Sequence, residues 1–442
     1  MTRSVLSAPA LARARDMGDA ASVPIAVDVR PDPEQLVDAF RKLRAAGHRD
    51  EPAVLVHDLD RLRAKLDALA AAFAGPRALH TVAIKANPLV GVLRVVVAAG
   101  AGLEAASIEE VHLALRAGCS PDRIVFDSPA KTEAELAEAL RLGLRINADN
   151  FAELERIAAL HDSASASRIG LRINPELAEA ALALTSVGHR GSRFGVPLSQ
   201  RAAIVDAFVR HPFLTGLHVH IGSQGVTIPE LVDGVARVWQ LRRELLAARP
   251  APIDMFDLGG GLPAQYRDDA PRLTPAAYVA ALRAAVPDLF HGDVLLVTEF
   301  GRSLLADCGF VVSRVEVVKP GPVAVLHVGA DLFVRRVYRP HEWHHDFLAL
   351  GRDGLPLAGD LVPTTLAGPL CFGGDVLARD LPLPPLSAGD HVLIRDTGAY
   401  TLSMWSRYCS RAIPVALGLD RGEVTVLRPR DTIADVVAFW GG

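Results

Sequence analysis

The chain predicts an α/β fold, a parallel (β/α)8 barrel followed by an antiparallel β domain, and three observations carry that expectation. Short β-branched or apolar runs recur at 81–84, 102–105, 123–126, 145–148, 169–173, 216–220, 255–258 and 294–298. Alanine- and leucine-rich stretches of helical period, such as 133–142 and 231–248, lie between most of them. That number of βα units suits a closed barrel better than an open doubly wound sheet, which usually needs fewer strands. After about residue 310 the texture changes to short alternating strands separated by Pro- and Gly-rich turns. Finally, 442 residues are too many for one core of ordinary size.

In order, residues 1–50 read as an N-terminal extension, partly flexible. Its arginines are spread through MTRSVLSAPALARARDMGDAAS without a sustained apolar core, so a secretory signal is not expected. Residues 51–78 hold a lead-in strand at 53–57 and a helix whose apolar positions Leu59, Leu62, Leu66, Leu69 and Phe73 fall at spacings of three and four. The barrel is assigned to 79–310. The β domain takes 311–442, with strands at 311–318, 323–328 and 391–395, and is completed by an N-terminal segment. The stretch 351–363, rich in Gly, Pro, Asp and Leu, reads as an exposed loop.

Half the residues are hydrophobic and the formal net charge is -4, which gives no overall attraction to nucleic acid or to an anionic membrane. No run of about 18 apolar residues occurs. Cys119, Cys308, Cys371 and Cys409 are widely separated and form no CxxC pair, so neither a zinc site nor a disulfide framework is indicated. A cytoplasmic protein with a small-molecule partner is the simplest expectation.

A barrel places its chemistry at the C-terminal ends of its strands. Ala83-Ile84-Lys85-Ala86-Asn87 puts one lysine at the end of an apolar run, either as a Schiff-base former or as a surface cation. His218-Val219-His220-Ile221-Gly222-Ser223 ends another run with an imidazole, then Gly and Ser where backbone amides can approach an anion. Asp257-Leu258-Gly259-Gly260-Gly261 permits positive φ and close approach of N–H groups to a phosphate, or is only a flexible turn. Glu299-Phe300-Gly301-Arg302 closes the series, and in isolation reads equally as a local charge pair.

The order and spacing of these pieces resemble the pyridoxal-phosphate-dependent decarboxylases of the alanine-racemase fold, which include diaminopimelate, ornithine and arginine decarboxylases. AIKAN is similar to the family's cofactor-lysine motif and AASIEEVHLALRAG to its following helix. LRINPE and SRFG are similar to its middle strands, and HVHIGSQ, DLGGGLP and EFGR to its ring, phosphate and pyridine-nitrogen motifs. GPLCFGGDVLARD and DTGAYTLSMWSRY resemble its last two signatures, so the likeness spans residues 51–416.

The resemblance implies pyridoxal 5'-phosphate carried on Lys85, with His220 stacked on its ring. The phosphate would lie among Ser223, the amides of Gly259, Gly260 and Gly261, the hydroxyl of Tyr400 and Arg302. Glu299 would keep the pyridine nitrogen protonated, so that the ring accepts the electrons left when the α-carboxylate departs. Alanine racemases place an arginine there, so Glu299 favours decarboxylation over the alternative of a racemase or epimerase. A non-catalytic cofactor-binding protein is the third class. The family also implies a head-to-tail homodimer with shared active sites, in which Cys371 protonates the substrate Cα across the interface. A buried inert thiol is its alternative.

Three departures bear on the substrate. Family members acting on diamino substrates carry an acidic residue after this cysteine, facing the distal ammonium, and this chain has Phe372. The segment ADLFVRRVY resembles the family's carboxylate-binding stretch with Asp331 and Tyr338 in register, but the arginine position falls on Val334, leaving Arg335 and Arg336 either to compensate or to face solvent. Phe300 stands where proline is usual. With His341, His344 and His345 nearby, the expected distal group is bulky, neutral or anionic, as in a conjugated amino acid of secondary metabolism or siderophore assembly. No metal is expected. His341-Glu342-Trp343-His344-His345 has the letters of the HExxH zinc motif, but that motif needs a helix, and this stretch is bracketed by Pro340 and strand-like sequence.

Overall fold

In the computed structural model the described residues are 27, 29–178, 180, 182, 185–249 and 251–442. The greater part of the expected N-terminal extension lies outside them. They form two compact units interleaved along the chain. One holds the described residues up to Ala64, Gln265–Pro271 and Leu305–Gly442, and the other Lys65–Ala264 and Arg272–Leu304.

In chain order the strands are β1 (Ala53–Asp58), β2 (Ala78–Ala83), β3 (Gly102–Ala105), β4 (Ile124–Asp127), β5 (Arg145–Ala148), β6 (Arg168–Asn174), β7 (Val196–Pro197), β8 (Leu214–His218), β9 (Met255–Asp257) and β10 (Leu295–Phe300). Eight of these pair in parallel in the order β5-β4-β3-β2-β10-β9-β8-β6, and β5 pairs with β6 to close the barrel. Short β7 extends only from β6. Apolar side chains of Leu79, Val125, Met255 and Val297 pack inside. Glycine makes room for the larger ones: a Cβ at Gly170 would lie 2.4 Å from Asn147 Oδ1, and one at Gly216 2.5 Å from Met255 Cε.

Helices between the strands begin at short polar caps. Thr132 and Glu135 form a capping box before Glu133–Leu142, and Thr227 with Glu230 does the same before Ile228–Ala248. Gly143 then ends the first of these in a left-handed conformation with φ 79°.

The other unit contains β1 and the later strands β11 (Gly309–Lys319), β12 (Val323–Leu326), β13 (Phe347–Leu350), β14 (Val362–Ala367), β15 (Val376–Leu383), β16 (His391–Ile394), β17 (Val415–Asp420) and β18 (Glu423–Arg428). β1 lies between β11 and β17, so an N-terminal segment does complete this sheet. Most pairings are antiparallel, but β1 with β17 and β12 with β14 are parallel, which makes the sheet mixed.

A helix at Pro33–Leu43, started by a capping box of Asp32 and Gln35, packs Leu36, Val37, Phe40 and Leu43 against Val54, Val56, Phe310, Val312 and Leu417. Arg30, just before it, is buried among Asp396, Asp346 and Asp268; the last two lie 2.8 and 2.7 Å away. Among the described residues no helix is long and apolar enough to cross a membrane.

Candidate active site

The barrel strands run in one direction, so the residues that end them meet at one mouth. Lys85 sits one turn beyond β2, on the 3-10 turn Ile84–Ala86 rather than on the strand itself. That turn is packed closely: a Cβ at Gly301 would come within 2.9 Å of Ala86 Cβ and 3.0 Å of Ala83 Cβ. Lys85 Nζ donates to both carboxylate oxygens of Glu104, at 2.6 Å each. The lysine side chain is 36 % exposed and the Glu104 side chain 0 %. Burial pushes the Glu104 carboxyl up to about 8, Lys85 opposing and Glu299 and Asp127 adding to the rise. A carboxylate so reluctant to stay ionised can take the proton that an ammonium must lose before it attacks a carbonyl.

On the neighbouring strand β10, Glu299 is buried, and among the described residues neither carboxylate oxygen has a well-formed hydrogen bond. His218 Nε2 and His220 Nδ1 each lie 3.5 Å from its Oε2. Burial alone would raise Glu299; His218 first, then His220 and Lys85, hold it well below the ordinary carboxylate range. His220 is pushed down, burial being the main cause, and its Nδ1 accepts from the Gly260 amide at 3.2 Å. It is therefore a neutral imidazole with its ring free to face a planar partner.

The glycine run is demanded by the space around it. Gly259 has φ 64° and a Cβ there would lie 2.5 Å from the Val219 carbonyl oxygen. A Cβ at Gly260 would lie 2.4 Å from the Glu299 carbonyl oxygen, and one at Gly261, with φ 105°, 2.6 Å from that of Gly222. Beside this turn Arg302 Nε donates to Ser223 Oγ at 3.0 Å.

These features fit pyridoxal phosphate. A buried carboxylate without a hydrogen-bond donor suits a protonated ring nitrogen, a neutral imidazole suits the ring face, and the glycine turn with Ser223 and Arg302 suits a dianion. His218, His220 and Glu299 are also the one cluster among the described residues with metal-like spacing, their ligand atoms lying within 4.8 Å of one another. Although burial opposes it, Asp127 and Glu299 push His218 above the ordinary imidazole value, and a protonated imidazole cannot ligate.

Several groups that shape the site were not singled out by sequence reasoning: Glu104, Asp127, Asn147, Arg172, Asp257 and His218. Each is a polar residue at or near the C-terminal end of a barrel strand. That placement was their one sequence signal.

The remaining expected residues lie in the β unit. Asp375 accepts from the amides of Ala330 and Leu370, at 2.7 Å each, and so pins the loop that carries Cys371. Cβ atoms at Gly329 and Gly368 would lie 2.3 and 2.2 Å from that carboxylate. Cys371 is exposed, and a hydrogen bond from its thiol to the Cys409 side chain pushes that thiol up. Phe372 stacks on Tyr338, 5.9 Å between centroids and 8° between planes, with the Tyr408 ring edge-on at 6.0 Å.

Arg335 lies over the rings of Trp343 and Tyr400, at 4.6 and 4.7 Å. Arg336 corrects one expectation: it neither faces solvent freely nor points a free fork at a ligand, since it donates to the carbonyls of Leu377, Pro340 and Trp343. His344 and His345 are likewise engaged, with Asp346 and the Arg395 carbonyl.

A barrel whose mouth pairs a lysine with a carboxylate, and a second carboxylate with a glycine-rich anion cradle, defines a pyridoxal-phosphate enzyme of the (β/α)8 type. Residues 59–306 match the family "Pyridoxal-dependent decarboxylase, pyridoxal binding domain". The diaminopimelate decarboxylase of Pseudomonas aeruginosa is 32 % identical over 391 residues, 87 % of this chain and 91 % of that protein. That of Methanothermobacter thermautotrophicus is 28 % identical, covering 93 % and 96 %. A crystal structure of the Helicobacter pylori diaminopimelate decarboxylase complexed with L-lysine superposes with a TM-score of 0.81 at 26 % identity, covering 90 % of this chain and 99 % of that one. The chain belongs to the pyridoxal-dependent decarboxylases: its cofactor is pyridoxal phosphate and it is an amino-acid carboxy-lyase.

Proposed function

We propose that this carboxy-lyase removes the α-carboxylate of an amino acid whose distal end is not a bare ammonium, and that it works as a homodimer with shared active sites. The relatives act, by their names, on diaminopimelate, and a diaminopimelate-type α-amino acid frame is retained. The observation that carries the difference is the stacked pair Phe372 and Tyr338 immediately after Cys371. An aromatic surface cannot replace a carboxylate as the partner of a desolvated cation. The next acidic residue in that loop, Asp375, is buried and committed to two backbone amides.

In this reading Lys85 holds the cofactor covalently and Glu104 receives the proton that its amine must shed. His220 lies against the ring, and Glu299 holds a proton at the ring nitrogen. The Gly259–Gly261 amides, Ser223, Arg302 and Tyr400 neutralise the phosphate. When bound, the cofactor supplies an electron sink for the bond to the departing carboxylate. Cys371, kept as a thiol by its raised value, delivers the proton to Cα, acting in the site of the partner subunit. Phe372 and Tyr338, with Arg335 beside them, receive the distal group, as befits a conjugated or non-diamino substrate.

The test is carbon dioxide release from a panel holding meso-diaminopimelate, lysine, ornithine, aromatic amino acids and ω-N-acylated diamino acids. Preference for an acylated or aromatic member, and a shift toward diaminopimelate in Phe372→Glu, is the expected result. A kcat/KM highest for diaminopimelate in the wild type would refute the specificity reading. Sedimentation, together with restored activity on mixing Lys85→Ala and Cys371→Ala protomers, tests the shared site.

A further inference from the structure

His218 ends β8 with its side chain 0 % exposed, and a carboxylate lies near each of its ring nitrogens. Its Nε2 lies 3.5 Å from Glu299 Oε2 on β10 and its Nδ1 3.7 Å from Asp127 Oδ1 on β4. Its register partners are Asp257 on β9 and Arg172 on β6. The His220 ring stands 6.4 Å away, nearly perpendicular. A neutral core histidine ordinarily gives its N–H to a carbonyl. Among the described residues neither ring nitrogen of His218 has such a bond, and each has a carboxylate oxygen within 3.7 Å.

The surrounding charges explain why a cation is needed there. Arg172 is committed to Asp127 at 3.2 Å and Asp149 at 3.8 Å. Asp257 accepts from the Gly259 amide and from Asn147 Nδ2, at 2.9 and 3.0 Å, and burial pushes it up to about 8, so it is largely neutral at pH 7. That leaves His218 between the carboxylates of Asp127 and Glu299. Burial opposes its charge, but Asp127 first and then Glu299 outweigh burial and raise it to about 9.

We propose that His218 is a positioning residue that places a permanent positive charge behind Glu299, so that the Glu299 carboxylate stays ionised and the proton it shares with the cofactor stays on the ring nitrogen. The inference rests on the reading of Glu299 as the partner of that nitrogen. Without the imidazolium, Glu299 is a buried acid facing Glu104, Asp127 and Asp257, and it takes up a proton itself. Its hydrogen bond to the ring nitrogen then survives with the proton on the carboxyl, and the ring loses the charge that makes it an electron sink. The contact is kept and its polarity is reversed.

His218→Asn and His218→Gln, of similar reach but never charged, are the test variants. Both are expected to retain cofactor, measured by its visible absorption per protomer. Their kcat should fall about 10- to 100-fold, the worth of one charge-assisted hydrogen bond, with KM within about 3-fold. Activity should recover as pH falls and a second proton reaches the ring nitrogen beside a neutral Glu299, whereas a purely structural defect gives no such recovery.

Reconstitution with deazapyridoxal phosphate, which has carbon in place of the ring nitrogen, separates the causes. On this analogue wild type and His218→Asn should be equally slow. A His218→Asn defect that persists undiminished on the analogue overturns the proposal, because His218 then acts elsewhere than through the nitrogen. Full activity of Glu299→Gln would instead refute the reading of Glu299 on which the proposal rests. Should neither variant fold, histidine-selective 15N spectra of the wild-type holoenzyme decide. A buried histidine still imidazolium at pH 8 supports the assignment, and its absence overturns it.

Discussion

Glu104 presents both of its carboxylate oxygens to one ammonium, each 2.6 Å from Lys85 Nζ, from a strand position with no exposure of its own. The half-exposed partner can leave to bind a cofactor; the buried one cannot leave at all. Removing the lysine therefore tests the carboxylate. In Lys85→Ala, burial, Glu299 and Asp127 raise Glu104 with no opposing ammonium. A carboxyl whose folded value exceeds its unfolded one is protonated in the native state while the unfolded chain has already ionised, so stability falls as pH rises. The window opens near the ordinary value of 4.5 and extends to at least about 8. Lys85→Ala is expected to lose on the order of 3 kcal/mol across it, seen as a falling Tm. Lys85→Ala/Glu104→Gln should show a flatter profile, and neither should hold cofactor covalently.

Glu299→Gln keeps the size of the side chain and removes its charge. The amide can still touch the ring nitrogen but no longer favours a proton there. Carbon dioxide release is expected to fall about 10- to 150-fold, with cofactor occupancy unchanged by absorbance. A variant that loses activity only because it loses cofactor would show that Glu299 serves binding instead.

Asp375→Ala should separate the loop from the thiol it carries. The buried carboxylate receives two amides, from Ala330 and Leu370, and both are stranded by its removal. Each unmet buried donor costs about 1–3 kcal/mol, so urea unfolding should register a loss of about 2–5 kcal/mol. Cys371→Ala, at an exposed position, should leave stability alone and slow turnover by about 10²- to 10⁴-fold, the usual worth of a placed proton donor. If Cys371→Ala were fully active, the thiol would have no part in the reaction.

What the sequence made legible follows from how local each signal is. Lys85, the glycines 259–261 and Glu299 sit in contiguous motifs whose spacing is itself the chemistry, and these residues converge at the strand ends. His218, Asp127, Asp257 and Glu104 are single polar letters separated by 23 to 153 positions, and only barrel closure brings them together. The helix at Pro33–Leu43 was readable, since Asp32 and Gln35 mark its start and Leu36, Val37, Phe40 and Leu43 share one face. Reading residues 1–50 as a partly flexible extension hid it. The two parallel pairings in the β unit were not readable, because alternation along a strand carries no information about the direction of its neighbour. Arg336 looked like a ligand group for a similar reason: its partners are backbone carbonyls, which no side-chain motif announces.

Arg30 anchors the N-terminal segment of the β unit through three aspartates, and its removal should be costly in a pH-dependent way. Its side chain is 2 % exposed, as is that of Asp396, while Asp346 is 8 % exposed. Asp396 is pushed up to about 6 by burial even with Arg30 opposing that rise. Arg30→Met fills much of the volume but leaves two buried carboxylates facing each other's field without a shared cation. Breaking a buried ion cluster from one side costs about 3–5 kcal/mol, most of it the stranded charge. The loss should therefore be largest at neutral and higher pH, where the aspartates must stay ionised or take up protons at a free-energy cost. It should shrink as pH falls through the raised Asp396 value and toward the ordinary value of 3.8, where protonation removes the stranded charge. Urea midpoints of wild type and Arg30→Met, compared at pH values above and below that window, measure it. A difference that stays constant with pH would mean that Arg30 contributes packing and hydrogen bonds rather than charge.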